Sequence, residues 1–223
     1  MKKGHYQFIG YPRTGSTFLH RLFRETNKFG TCTRSVFKET VLKTSEEYHN
    51  LYDGFEYSIN MNTGLIVEDA NIIKVAGEVT DKFFACMRNP YECNQSQYTY
   101  HDGTWSLKIE SLNYSHYISR FQNLVSAPVK IFIFDDLVEK QNEFVDSVFD
   151  YLNCDRPVVD LSKILRNESS MTRHNSKTRT TELRTANSKL ATYNYSQEEI
   201  TEINSYIDNF SVFMNKDFSH WKR

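Results

Sequence analysis

The chain has 223 residues, 39% of them hydrophobic and 25% charged, so we expect a single domain with a hydrophobic core over residues 1–223. Its 27 Lys and Arg residues balance 28 Asp and Glu residues, a net charge of −1, which argues against a protein that binds nucleic acid by neutralising phosphates. The sequence has no long apolar run, no signal-peptide core and no CxxC pair among its four cysteines. It therefore predicts a cytoplasmic protein with reduced thiols, without a membrane span or a zinc site.

The first half of the chain contains two predicted strands, each followed by a predicted helix. The strand Tyr6 to Ile9 is broken at Gly10-Tyr11-Pro12, and a helix begins at Ser16. The second strand, Lys82 to Met87, stops at Asn89-Pro90, where Asn can cap a helix and Pro can occupy its first turn. The first helix is amphipathic, and its apolar face carries Phe18, Leu19, Leu22 and Phe23.

The second half continues the alternation. A helix from Ser111 to Val125 precedes the strand Val129 to Phe134, and Ser196 and Glu199 form a capping box ahead of the last helix. Between that strand and that last helix lies another amphipathic helix, with Phe144, Val145, Val148, Phe149 and Leu152 on one face. Strands that alternate with helices predict an α/β fold, a three-layer α/β/α arrangement around a central parallel sheet.

Two segments depart from the neutral charge balance. Residues 135–160 carry eight acids and two bases, a pattern typical of the solvated face of a helix. Residues 163–184 carry six bases and two acids, with many Ser, Thr and Asn and no helical periodicity. We interpret this second segment as a basic loop, and a basic loop in a neutral protein indicates an anion site.

The loop after the first strand, Gly10-Tyr11-Pro12-Arg13-Thr14-Gly15-Ser16-Thr17, carries the strongest motif. It nearly matches the phosphate-binding P-loop, G-x-x-x-x-G-K-[ST], and lies between a strand and a helix as that motif requires. Backbone N–H groups and the helix N-terminus can hold an anion there. Ser16, however, stands where P-loop enzymes have the Lys that reaches the β- and γ-phosphates of ATP or GTP, and the positive charge lies instead at Arg13.

This loop resembles that of the sulfotransferases that use 3'-phosphoadenosine 5'-phosphosulfate (PAPS). Their first loop reads P-[KR]-[ST]-G-[ST]-T-x-L, and residues 12–19, PRTGSTFL, fit every position. A second family motif, R-[ND]-P with a Ser eight residues after the Arg, is similar to Arg88-Asn89-Pro90 with Ser96. Weaker resemblances are Phe134-Asp135-Asp136-Leu137, for the family's Y-E-D-L, and the C-terminal segment 217–221, DFSHW.

The resemblance implies a P-loop-like sulfotransferase fold and transfer of a sulfuryl group from PAPS to a hydroxyl or amine acceptor by in-line displacement, leaving 3',5'-adenosine bisphosphate (PAP) and needing no metal. Arg13 would bridge the 5'-phosphate and the transferring group, a contribution of about 3 kcal/mol to the transition state. Arg88 and Ser96 would hold the 3'-phosphate. The cofactor-binding residues expected in the first loop are Arg13, Thr14, Gly15, Ser16, Thr17 and Phe18.

Transfer to a hydroxyl needs a group that takes its proton. Residues 64–80 contain no His, so the family's His base is absent there, and Phe37-Lys38-Glu39-Thr40 resembles the segment in which a Glu is the base. Glu39 is therefore the favoured catalytic base, with His101 as the reserve. The resemblance also implies that Lys177 and Arg179, in the basic loop, cover the 3'-phosphate.

Two other interpretations stay open. In a P-loop kinase or NTPase, Asp135 and Asp136 would hold Mg²⁺ as Walker B acids do. A non-catalytic nucleotide-binding module with the same fold is the third reading. The acceptor is a small molecule or a carbohydrate, with lipids and peptidyl Tyr also open, and its pocket is expected in residues 40–77 and the basic loop. The oligomeric state stays open. The aromatic run Tyr48, Tyr52, Phe55 and Tyr57 would lie in the core or at its rim, or stack on an acceptor ring.

Overall fold

A computed structural model describes residues 4–32, 54–101, 103–161, 164, 172–174, 181–183 and 192–223. Within them, five parallel strands form one sheet in the order β2-β3-β1-β4-β5. Their bounds are Gly4–Phe8 (β1), Phe29–Cys32 (β2), Tyr57–Met61 (β3), Lys82–Met87 (β4) and Val129–Ile133 (β5). A separate antiparallel pair consists of Thr172–His174 (β6) and Thr181–Leu183 (β7).

Seven α-helices occur in the described ranges, together with three short 3₁₀ turns. The helices are Ser16–Glu25 (α1), Ala70–Val79 (α2), Pro90–Tyr100 (α3), Tyr114–Leu124 (α4), Phe134–Glu139 (α5), Gln141–Leu152 (α6) and Gln197–Met214 (α7). The 3₁₀ turns are Leu65–Val67, Ile109–Leu112 and Ser219–Trp221. No helix of the described ranges is both long enough and apolar enough to span a bilayer.

The sheet is covered on both faces, as the strand and helix alternation predicts. Along β4, Phe84 and Cys86 pack against α1 and α6 on one face, whereas Phe83, Ala85 and Met87 pack against α2, α4 and α7 on the other. Side chains alternate because successive residues of a strand point to opposite faces. The three-layer α/β/α prediction is confirmed, and a parallel sheet buried on both faces explains why β4 is apolar from Phe83 to Met87.

The sequence predicted several element boundaries correctly. Strand β4 spans the predicted residues, the Asn89 side chain accepts a hydrogen bond from the Tyr91 N–H at 3.0 Å, and Pro90 begins α3. The Ser196–Glu199 capping box is formed in both directions. Helix α4 begins three residues later than predicted because the turn Ile109–Leu112 precedes it and Asn113 caps it.

Strands β2 and β3 of the sheet, and the separate β6–β7 pair, were not predicted. Strand β3 is a central strand although it carries Ser58 and Asn60, because both polar side chains are buried together with His5 and Gln7 of neighbouring β1. His5 Nδ1 lies 2.7 Å from Ser58 Oγ, and Gln7 Nε2 donates to Thr80 Oγ1 at 2.7 Å. Residues 40–77 therefore hold core structure in addition to any acceptor pocket, and the segment interpreted as a basic loop contains β6 and β7.

The strand order brings two functional loops together. Strands β1 and β4 are neighbours, with Phe8 beside Phe84, yet the chain leaves β1 toward β2 and leaves β4 toward β5, on opposite sides. A crevice forms outside the carboxyl ends of parallel strands where consecutive connections diverge in this way. The β1–α1 loop and the start of α3 meet at that crevice.

Candidate functional site

The β1–α1 loop, residues 9–15, is fixed to the sheet by hydrogen bonds at its start. Ile9 N–H donates to Phe84 O at 2.9 Å, and Gly64 N–H donates to Gly10 O at 2.9 Å. Position 10 requires a glycine, because a Cβ there would lie 3.2 Å from the Cys86 carbonyl oxygen. The loop therefore starts from a rigid base at the centre of the sheet.

The loop turns into α1 through two left-handed residues. Arg13 has φ 67° and Gly15 has φ 92°, and Gly15 is the N-cap of α1 with no side-chain cap bond. A non-glycine residue in this region is uncommon and is often found at functional sites. The first N–H groups of α1 have no partner within the helix, so Ser16, Thr17 and Phe18 present the positive end of the helix at the crevice.

Among the side chains of the loop and the first turn of α1, some are buried and maintain the fold, and others are accessible to a ligand. Thr14 is fully buried and its hydroxyl donates to Tyr11 O at 2.7 Å, so this hydroxyl maintains the turn. Phe18 is 3% exposed and packs in the core beneath α1, which leaves its backbone as the part that can meet a ligand. Ser16 is half-buried and Thr17 is exposed at the start of α1.

A buried thiol supports the loop from below. Cys93 of α3 is fully buried, and its Sγ lies 3.4 Å from Pro12 O, to which it donates. Burial raises the pKa of Cys93 to about 12, so the thiol stays protonated and neutral at physiological pH. It fills the space between α3 and the loop without adding charge to the site.

Arg13 and Arg88 come together at the crevice. Arg88 Nη1 donates to Arg13 O at 3.4 Å, and Arg13 Nε donates to Ser96 Oγ at 3.1 Å. The sequence motifs are thus joined in space, since both arginines and Ser96 lie between the first loop and α3. Two guanidinium groups beside a helix N-terminus form a strongly anion-binding arrangement.

Arg88 is held from several sides. Its carbonyl accepts a hydrogen bond from the Tyr114 hydroxyl at 2.9 Å, and its guanidinium carbon lies 4.7 Å from the centre of the Phe134 ring. Nε donates to Glu92 Oε2 at 3.0 Å, and Nη2 lies 3.0 Å from the same oxygen. Glu92 and Phe134 are contacts of the site that the motif analysis missed, although the four-residue spacing of Arg88 and Glu92 is a signal for a helix pair.

Tyr100 extends the same face of α3. The Arg13 guanidinium carbon lies 4.8 Å from the Tyr100 ring centre, which is a cation–π contact. The ring of His101 lies 5.0 Å from that of Tyr100 and 5.0 Å from that of Trp105, both in edge-to-face geometry. The ring of Tyr100 therefore lies between Arg13 and His101, the reserve base, and contacts both.

The other predicted catalytic and cofactor-binding residues, Glu39, Lys177 and Arg179, lie outside the described residues. Of the aromatic run, Tyr57 is buried in the core and Phe55 is 42% exposed, whereas Tyr48 and Tyr52 also lie outside them. Of the two described residues of the run, one therefore lies in the core and one at the surface, and a role in stacking on an acceptor ring stays a prediction.

The acids of the kinase interpretation contact residues 216–221, which follow α7 and which we call the C-terminal turn. Asp135 Oδ2 accepts a hydrogen bond from Trp221 Nε1 at 2.8 Å and lies 3.3 Å from His220 Nε2. Asp136 Oδ2 lies 3.7 Å from Lys216 Nζ. Within the described ranges, no group of three or more His, Cys, Asp or Glu side chains is close enough to hold a metal ion.

Comparisons with known proteins bear on the fold. No family model matches this chain, and no curated protein sequence matches it. Among solved structures, a sulfotransferase from Alicyclobacillus acidocaldarius is similar with a TM-score of 0.64 and 12% identity, over 100% of both chains. Mouse sulfotransferase SULT7A1 complexed with PAP is similar with a TM-score of 0.49 and 10% identity, over 96% of this chain and 84% of that chain. The first similarity shows that this chain has the α/β, P-loop-like fold of a sulfotransferase.

Proposed function

We propose that this chain is a sulfotransferase that takes PAPS as its donor and transfers the sulfuryl group to a hydroxyl or amine acceptor. One observation carries the proposal: Arg88, at the end of β4, donates to the carbonyl of Arg13 in the P-loop-like turn, and Arg13 donates to Ser96. The three motif residues converge, and the fold is that of a sulfotransferase.

The residues fit the donor in number and kind. The donor has two separate anionic groups on one ribose, and the site has two arginines, which follow the neighbouring strands β1 and β4, with the Arg88 guanidinium bonded to the Arg13 backbone carbonyl. The loop has no Lys at Ser16, which suits a ligand without a β,γ-phosphate chain. The backbone of residues 14–18 and the hydroxyls of Ser16 and Thr17 would take the 5'-phosphate. Arg88 and Ser96 would take the 3'-phosphate, covered by Lys177 and Arg179.

The proposed chemistry is a direct displacement, for which the donor supplies the sulfuryl group and the 5'-phosphate as leaving group. The S–O bond to that phosphate breaks, and an S–O bond to a hydroxyl acceptor, or an S–N bond to an amine acceptor, forms. Arg13 would neutralise the charge left on the bridging oxygen. Glu39 would take the acceptor proton, with His101 as the alternative base beside Tyr100. No described residue of this scheme depends on a metal ion.

The kinase interpretation has less support in the geometry. Its two acids, Asp135 and Asp136, are engaged by Trp221, His220 and Lys216. An acid that holds Mg²⁺ next to a nucleotide would instead be directed toward the phosphate loop.

The test is a binding measurement with two nucleotides. Isothermal titration of the protein with PAP, and separately with ATP in the presence and absence of Mg²⁺, distinguishes the two activities. We expect PAP to bind without Mg²⁺ and Arg88→Ala to weaken that binding strongly. Binding of ATP only with Mg²⁺, and none of PAP, would refute the sulfotransferase proposal in favour of the kinase. If neither nucleotide binds, the proposal fails as well.

A further inference from the structure

Glu92 is an acid in a site built for anions. It lies in the first turn of α3, four residues after Arg88 and four before Ser96, on the helix face that borders the crevice. Its Oε2 takes both bonds of the ion pair with Arg88, at 3.0 Å from Nε and 3.0 Å from Nη2. A carboxylate beside the residue that should bind a phosphate requires an explanation.

The geometry of the guanidinium group supplies one. Arginine carries five N–H donors in a rigid plane, with a side-on edge formed by Nε and Nη2 and an end-on edge formed by Nη1 and Nη2. Glu92 takes the side-on edge, and Arg13 O takes one hydrogen of Nη1. One face of the plane lies on the Phe134 ring. The bonds that described residues make to Arg88 leave one N–H on Nη1 and one on Nη2, the two nitrogens of the end-on edge, for phosphate oxygens.

We propose that Glu92 is a positioning residue for the donor, which holds Arg88 by its side-on edge so that the end-on edge meets the 3'-phosphate. This inference rests on the proposed function. Without Glu92 the arginine side chain would lose its most specific anchor and would have to be ordered when the ligand binds.

Repulsion between the carboxylate and the phosphate works in the opposite direction. The Glu92 side chain is 55% exposed, however, whereas that of Arg88 is 22% exposed. Water and salt therefore screen the longer-range repulsion, while the two short bonds to Arg88 remain. We expect the ordering of Arg88 to outweigh the repulsion, so that removal of Glu92 weakens binding.

Two ligands that differ only in the 3'-phosphate test this role. We titrate each variant with PAP and, separately, with 5'-AMP. The Kd of Glu92→Ala for PAP should be about five- to tenfold above that of the wild type, whereas its Kd for 5'-AMP should stay within about twofold of the wild-type value. Glu92→Gln, which keeps one acceptor oxygen, should fall between Ala and wild type. The control is Glu143→Ala, because Glu143 is also an exposed first-turn acid, on α6, away from Arg88. It should leave both constants unchanged.

A double-mutant cycle shows whether Glu92 acts through Arg88. If it does, Glu92→Ala will not weaken PAP binding further in an Arg88→Ala background, and melting temperatures will confirm that the variants are folded. Unchanged or tighter PAP binding by Glu92→Ala would overturn the inference, as would equal losses for PAP and 5'-AMP. A wild-type protein that does not bind PAP would refute the proposed function and, with it, this role for Glu92.

Discussion

Two neighbouring strands end at the same edge of the sheet, and the charged residues at their ends are used differently. At the end of β4, Arg88 is held by Glu92 along the Nε and Nη2 edge of its guanidinium, and its Nη1 donates to the Arg13 carbonyl. At the end of β5, Asp135 gives one oxygen to both Trp221 and His220 of the C-terminal turn. Arg88 is the first residue after β4, and Asp135 is the second residue after β5, in the first turn of α5.

The difference shows how a sheet edge divides its work between ligand and fold. Trp221 is 2% exposed and packs on Phe218 with ring centres 4.4 Å apart, so the indole N–H needs a partner inside the protein, and Asp135 is that partner. Arg88 keeps N–H groups that none of the described residues uses. A charged residue at the carboxyl edge is a binding candidate when its hydrogen-bonding groups are not consumed by the chain.

The largest expected effect is on the ligand side of this comparison. Arg88→Ala should weaken PAP binding about 100-fold, because two charge-assisted hydrogen bonds to a phosphate, worth about 2 to 3 kcal/mol, are lost. Isothermal titration measures it. Arg156→Ala is the control, since Arg156 is also paired with an acid, Asp146, and its removal changes the net charge equally. Equal losses in the two variants would mean that only overall charge matters.

The next effect concerns the residue that lies between the two regions. A Cβ on Gly15 would lie 3.0 Å from Leu137 Cδ2 and 3.4 Å from Phe134 Cδ2, at a φ of 92°. We expect Gly15→Ala to lower the free energy of unfolding by about 2 kcal/mol and to weaken PAP binding as the loop shifts. Urea unfolding and titration measure the two effects.

Gly54→Ala separates strain from contact. Gly54 has a nearly equal φ of 91°, but a Cβ there meets nothing within 4 Å. Gly54→Ala should lower the free energy of unfolding by about 1 kcal/mol, because only the strain of the backbone contributes. If the two variants lose equal stability, the packing of the first loop against α5 has no energetic weight.

A smaller effect is expected on the fold side. Asp135→Ala leaves the Trp221 N–H without its acceptor and should lower the free energy of unfolding by about 1 kcal/mol, a value reduced by the partial exposure of the carboxylate. PAP binding should stay within about twofold of wild type. Asp135→Asn keeps an acceptor oxygen and should recover most of the stability. A large loss of PAP affinity in either variant would erase the contrast between the two strand ends.

The smallest effect is a pH dependence in the C-terminal turn itself. The pKa of Asp217 lies below its ordinary value of 3.8, because the backbone N–H and the hydroxyl of Ser219 both donate to the carboxylate. Below that ordinary value the unfolded chain takes up this proton before the folded chain does, so stability falls as the pH falls through the folded pKa. Urea unfolding at a series of acidic pH values should therefore show a shallower decline for Asp217→Asn than for wild type. A decline of equal steepness would mean that the Ser219 bonds do not stabilise the turn.

Local signals in the sequence carried much of the fold and the centre of the site. Strand β4 ends where its Asn–Pro pair predicts, because capping and the missing proline N–H act within a few residues. The offset of Ser96 from Arg88 also survives folding, because a regular helix that begins at Pro90, two residues after Arg88, carries Ser96. These features depend on residues that are near neighbours in the chain.

The features that could not be predicted depend on distant partners. Strand β3 was not predicted, and its polar Ser58 is accommodated inside the sheet by His5, 53 residues away. The pairing of Asp135 with Trp221 spans 86 residues, and no local pattern announces it. The left-handed conformation of Arg13 likewise follows from the loop's hydrogen bonds to the sheet and has no signature in its residue type.

The thiol of Cys93 beneath the loop is a native probe of local opening at the site. Because it is fully buried and protonated against Pro12, a thiol reagent can modify it only while α3 and the loop are apart. Its labelling rate therefore counts the openings of this part of the molecule, in the way that hydrogen exchange counts the openings of a helix. A ligand that bridges Arg13 and Arg88 would lower the rate at which Cys93 is labelled. Occupancy of the crevice can therefore be followed by mass spectrometry on a single native cysteine.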